Sequence, residues 1–174
     1  MSHVSAAPLI YERFQQAYGA NYDYSGSRNN ALPISPSLRP LLEWVQAYID
    51  PRLNGLLLNW YAGCDHYIGP HHDSTRGLIP GMPIVTLSFG ETRTFRLTQG
   101  TGVGKKFHDF AATRGAIFSM PWDTNLRWKH AVPKRASYRG RRISITLRAF
   151  ASGLLPPESY FAAESPVTGC PEAQ

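Results

Sequence analysis

The run Arg142-Ile143-Ser144-Ile145-Thr146-Leu147-Arg148 alternates polar and apolar residues without a break. Successive side chains in a strand point to opposite faces, so Arg142, Ser144, Thr146 and Arg148 share one face, and Ile143, Ile145 and Leu147 share the other. Such a strand needs an apolar layer on one side, and on the other either water or, inside a barrel, anions. Further β-rich runs precede it at 56–61, 84–89, 92–98 and 116–120, and the last run continues to 150. Turn residues divide them at Pro80-Gly81, Gly90-Glu91 and Gly100 to Gly104.

Before these runs, Leu38, Leu41, Leu42, Val45 and Ile49 recur at helical spacing. The segment 37–49 is a predicted amphipathic helix, capped by Ser35 or Ser37 and ended by Asp50-Pro51. One leading helix followed by many short strands predicts a mainly β fold with a flanking helix, a jelly roll or barrel, not an alternating βαβ sheet. At 174 residues the chain suits a single domain. We expect that domain to cover 1–151, with an aromatic, turn-rich hairpin near 18–26. The proline-bearing segment 152–174 has no sustained period and is expected to be an irregular tail.

Composition narrows the class further. No stretch approaches the roughly 18 apolar residues of a membrane helix, and Met1-Ser2-His3-Val4 has neither a basic nor an apolar signal region. The expected location is cytoplasmic or nuclear, without secretion. Cys64 and Cys170 suggest neither a disulfide framework nor a CxxC pair. The net charge of +6 favours polyanionic partners. Lys129, Lys134, Arg135, Arg139, Arg141 and Arg142 cluster with no acid among them.

His71 and Asp73 stand two apart and face the same way on an extended chain. A third ligand has to come from elsewhere, and His130 is the best-placed candidate, with His66 and His108 as spares. His72 points the opposite way. Two imidazoles and one carboxylate make the facial set that holds non-haem Fe(II) while leaving positions open for substrate and dioxygen. By strand rise, Arg142 and Arg148 lie roughly 20 Å apart at Cα, and their side chains can bend toward a small dicarboxylate between them. That geometry suits 2-oxoglutarate.

Taken in order, Asn59-x-Tyr61, the Gly63-Cys64-Asp65-His66 turn, His71-x-Asp73, the Pro83 to Gly90 strand, Trp128-x-His130 and Arg142-x5-Arg148 resemble the AlkB family of Fe(II)/2-oxoglutarate dioxygenases, most closely its nucleic-acid-repairing members. The likeness runs from about Tyr18 to Phe150. It implies a double-stranded β-helix core, with Fe(II) on His71, Asp73 and His130. It implies 2-oxoglutarate hydrogen-bonded by Asn59 and Tyr61, its distal carboxylate on Arg142, its chelating end helped by Arg148, and Ser144 and Thr146 lining the site. Tyr22 and Tyr24 would belong to a substrate lid and stack on a flipped base. The implied reaction is oxidative dealkylation of N-alkylated bases in DNA or RNA, with dioxygen as oxidant. Where base-repairing members commonly place an acid just after His-x-Asp, this chain has Ser74-Thr75-Arg76. That departure leaves open a hydroxylase or demethylase of a peptide or small metabolite, and an inactive nucleic-acid-binding module is the non-enzymatic alternative.

Overall fold

A computed structural model describes residues 13–24 and 27–151, with the side chains of 23–29 outside the description. The expected tail at 152–174 lies outside the described residues. In chain order the strands are β1 (Phe14–Tyr18), β2 (Tyr22–Tyr24), β3 (Ser27–Asn29) and β4 (Ala31–Leu32). After helix α1 (Arg39–Tyr48) come β5 (Gly55–Tyr61), β6 (Ile68–His71), β7 (Ile84–Gly90), β8 (Arg93–Gln99), β9 (Lys106–Ala112) and β10 (Ile117–Met120). Helix α2 (Trp122–Arg127), β11 (Lys129–Val132) and β12 (Arg142–Arg148) complete the order.

The strands form a six-stranded sheet, β10-β7-β12-β5-β1-β4, and a four-stranded sheet, β6-β11-β8-β9, while β2 and β3 pair as a hairpin. Every pairing is antiparallel except β1 with β4. This is the mainly β, jelly-roll arrangement expected from the pattern of runs. The hairpin pairs Tyr22 with Asn29 and Tyr24 with Ser27, later in the chain than 18–26.

From Ser144 to Arg148 the strand β12 of the larger sheet is buried on both faces, and period two explains how. On β12, Ile145 and Leu147 join Leu56, Val85 and Leu87 in an apolar layer completed by Leu42 and Val45 of α1. On the other face, Arg142, Ser144, Thr146 and Arg148 line a pocket between the sheets, together with Leu57, Asn59 and Tyr61 of β5. The polar face of β12 thus looks inward, the arrangement that requires anions. The hydroxyls of Thr86 and Thr146 meet across the β7–β12 pair at 3.2 Å.

Helix α1 begins without the serine cap. Leu38 is its N-cap with no side-chain hydrogen bond, and Pro40 opens the first turn. There proline supplies a helical φ and its missing N–H costs nothing; the Ser35 carbonyl accepts from the N–H groups of Leu38 and Arg39. Gly90 ends β7 at φ +88, and a Cβ there would collide with the Arg141 carbonyl. The glycine lets the chain turn tightly beside Arg142. Among the described residues, no helix is long and apolar enough to cross a membrane.

Candidate metal centre and its pocket

His71 ends β6, Asp73 follows two residues later, and His130 sits on β11 directly opposite His71 in the β6–β11 register. Pairing these two short strands brings together imidazoles 59 positions apart. Their imidazole centroids lie 4.1 Å apart, and the Nε2 atoms of both are 3.5 Å from Asp73 Oδ1. One ligand atom from each of the three falls within 4.8 Å of the other two, close enough to surround one ion. His66 and His108 do not join them. The His66 carbonyl is held by Arg93, and the His108 ring packs against Trp128 at 5.3 Å.

The chemistry of the three donors suits a divalent cation. Burial, and then the neighbouring His130, push the His71 imidazole down toward its neutral form, the form that ligates metals. Its Nδ1–H donates to the Gly69 carbonyl at 2.9 Å, which turns Nε2 toward Asp73. Burial alone would raise the Asp73 carboxyl, but Arg148 and His130 outweigh it and hold Asp73 well below the ordinary carboxylate range. It is a carboxylate at neutral pH.

Three further residues set the position of Asp73. Arg148 donates to Oδ2 from Nη2 at 2.6 Å and from Nε at 3.2 Å. Tyr22 donates its hydroxyl to Oδ1 at 3.1 Å. Asn125 of α2, fully buried, grips the Asp73 backbone: its Oδ1 accepts from the Asp73 N–H at 2.9 Å, and its Nδ2 donates to the Asp73 carbonyl at 3.1 Å. The Asn125 carbonyl accepts from His72 Nδ1 at 2.5 Å, so His72 points away from the centre, as period two requires.

Two of the expected site residues are engaged by groups of the protein itself. Arg148 was expected to clamp a dicarboxylate jointly with Arg142; its charge partner is the protein's own Asp73. Tyr22 was expected to be a stacking platform, yet it is only 5 % exposed, and the Arg148 guanidinium lies 4.2 Å from its ring centroid. Its ring and its hydroxyl are both committed within the site. Tyr24 lies on β2, with its side chain outside the described residues.

At the other end of the pocket, Arg142 is 1 % exposed. Its Nε donates to Ser88 Oγ at 3.1 Å, its guanidinium lies 5.2 Å from the Tyr61 ring centroid, and its Nη1 is buried with no hydrogen-bond partner. A buried guanidinium nitrogen lacking an acceptor is costly, and a carboxylate is the group that best satisfies it. The pocket therefore fits a small anion at Arg142 and a metal ion at the far end. Asn59, Tyr61, Ser144 and Thr146 line the space between, and Asn59 Oδ1 accepts from Arg13 Nε at 2.7 Å.

Arg93 and Asn125 escaped the sequence reading. Arg93, also 1 % exposed, donates to the carbonyls of His66 and Gly63 at 2.8 Å and of Gly140 at 3.3 Å. Its guanidinium lies 5.2 Å from the Tyr61 ring centroid. It thereby ties the loop after β5 to the start of β12. Arg93 is in phase with Phe95 and Leu97 on one strand, a charge in line with apolar positions, and that was a usable signal. The basic segment is also less free than its sequence suggests, because Lys134 meets Asp65 at 2.8 Å and Arg135 meets Asp109 at 3.6 Å.

A family model described as the 2OG-Fe(II) oxygenase superfamily matches residues 3–148. The human protein named DNA oxidative demethylase ALKBH2 is 33% identical over 137 residues, covering 75% of this chain and 52% of that protein. Its Arabidopsis thaliana namesake is 30% identical over 149 residues, covering 72% and 48%. The alpha-ketoglutarate-dependent dioxygenase alkB homolog 3 of Rattus norvegicus is 28% identical over 143 residues, covering 76% and 48%. The solved structure of OsALKBH1 superposes with a TM-score of 0.51 at 16% identity, covering 78% of this chain and 79% of that one, a likeness of fold. The chain belongs to the 2OG-Fe(II) oxygenase superfamily and, within it, to the AlkB-like family. It spans about half the length of the curated relatives it matches.

Proposed function

We propose that this protein is a dioxygenase that uses Fe(II), 2-oxoglutarate and dioxygen to remove alkyl groups from bases in nucleic acid. The observation that carries the reading is the convergence of His71, Asp73 and His130 at one end of a pocket whose other end holds the partnerless Nη1 of Arg142. The names of the relatives, DNA oxidative demethylases and an alpha-ketoglutarate-dependent dioxygenase, support the substrate class. The net charge of +6 suits a polyanion.

Bound together, ferrous iron and 2-oxoglutarate supply oxidation by dioxygen, with the keto acid decarboxylated to succinate and one oxygen atom delivered to a substrate carbon. His71, Asp73 and His130 would hold the ion. Arg148 keeps Asp73 Oδ2 occupied and so turns Oδ1 toward the two imidazoles. Arg142 would receive the distal carboxylate of the keto acid, and Asn59 and Tyr61 would hydrogen-bond it. On an N-methyl group, hydroxylation of the carbon gives a hemiaminal that releases formaldehyde and returns the N–H. We read residues up to 151 as a single dioxygenase domain, with the β2–β3 hairpin that brings Tyr22 to the site as its cover.

The test is anaerobic reconstitution with Fe(II) and 2-oxoglutarate, then air, scoring succinate and formaldehyde on methylated oligonucleotides beside methylated peptides. Formaldehyde from oligonucleotides alone is expected. Release from peptides alone rejects the nucleic-acid substrate, and no succinate under any condition rejects the oxygenase.

A further inference from the structure

We infer that the pocket selects alkylated bases that are electrically neutral and rejects those that alkylation has made cationic. The inference rests on the proposed base dealkylation and adds the charge of the substrate. Among the described residues lining the pocket, Asp73 is the sole carboxylate. Both of its oxygens are committed, Oδ2 to Arg148 and Oδ1 to Tyr22 and the two imidazoles. Arg142 and Arg148 against Asp73 leave one positive charge, even leaving Arg13 aside. A ferrous ion and a 2-oxoglutarate dianion cancel each other, so the loaded site keeps that positive charge. An entering cation meets it in a buried, weakly screened space, where like charges repel most strongly.

Aromatic faces would be the other way to seat a cation, and here they are taken. Phe95 stacks against Phe118 at 5.2 Å and against His130 at 5.7 Å. Tyr61 already faces the guanidiniums of Arg93 and Arg142, and Tyr22 faces Arg148. The groove on the far side of Asp73 offers no relief: its described lining is His72, Ser74, Thr75, Arg76, Asn125 and Leu126, again with no second carboxylate. What remains is the aliphatic lining of Leu57, Ile68, Ile84, Met120 and Val132, which suits an uncharged ring.

Matched lesions test this in the intact protein loaded with Fe(II) and 2-oxoglutarate. N3-methylcytosine and N3-methylthymine place the methyl group alike but differ in charge at neutral pH, as do N1-methyladenine and N1-methylguanine. Each lesion is placed in one otherwise identical oligonucleotide, and kcat/KM is taken from formaldehyde release and product mass. The neutral member of each pair is expected to be favoured at least ten-fold. Equal or greater efficiency on the cationic members overturns the charge selectivity while leaving base dealkylation standing. Succinate formation with no lesion repaired in either set overturns both readings.

Discussion

Arg148 and Asp73 meet across the seam between the two sheets, Nη2 to Oδ2 at 2.6 Å, with both side chains almost wholly out of solvent. Removing one partner of such a pair strands the other charge in the interior, at a cost of about 3–5 kcal/mol. Replacing Arg148 with Met is expected to lower unfolding stability by that order and to weaken metal binding about ten-fold or more, as loss of a ligand's supporting partner does. Denaturant unfolding and Co(II) titration of the same variant check the two effects. Wild-type metal affinity in Arg148→Met would remove Arg148 from the support of the centre.

The same pair sets a pH dependence for the metal-free protein. Asp73 is held well below the ordinary carboxylate range: burial opposes this, and Arg148 overcomes it. The stability it contributes is therefore fully present above the unfolded-state value, about 4, and is lost as pH falls through the lower folded value. Asp73→Asn should be less stable than wild type at pH 7 and should lose less between about pH 5 and pH 2. Urea melts across that range measure it; parallel curves for the two proteins would contradict the assignment.

Asn125 grips both backbone polar groups of Asp73 and is fully buried. Asn125→Ala leaves them unpaired, costing about 1–3 kcal/mol per stranded group, and lets Asp73 drift from the two imidazoles. We expect a lower melting temperature together with weaker Co(II) binding and an altered Co(II) absorption spectrum. A destabilised variant whose loaded spectrum matches wild type would show that Asn125 serves the fold alone.

Arg142 stands at the opposite end of the pocket and touches none of the three metal ligands. Arg142→Leu is expected to weaken 2-oxoglutarate binding by about 2 kcal/mol or more, roughly 30-fold, while the affinity for Co(II) alone stays unchanged. Calorimetric titration of each separates the effects. Equal losses in both would mean that Arg142 holds the sheet together instead of holding the keto acid.

Legibility in the sequence followed exposure. Strands β5, β7, β8 and β12 were visible because β-branched and apolar residues concentrate in them, with strict polar and apolar alternation in β12. Strand β9 is exposed at six of its seven positions and carries no such mark, β6 contains Gly69-Pro70, and α2 spans six residues, too few for a helical period. His71, Asp73 and His130, the proposed metal ligands, were legible because ligand chemistry restricts residue type. Asn125 and Arg93 bond to backbone groups 27 to 52 positions away, and backbone leaves no trace in residue identity. The pairing of Arg148 with Asp73 was not legible for a related reason. Strand alternation shows which way an arginine points, whereas the sheet packing decides which carboxylate it reaches first.

His71 ends β6 and His130 sits on β11 of the smaller sheet, with Asp73 two residues beyond β6, whereas Arg142 and its neighbours hang from β5 and β12 of the larger sheet. A keto acid reaching from an ion at His71, Asp73 and His130 to Arg142, as proposed, would bridge the two sheets, and its binding is expected to slow amide exchange along β6 and β11.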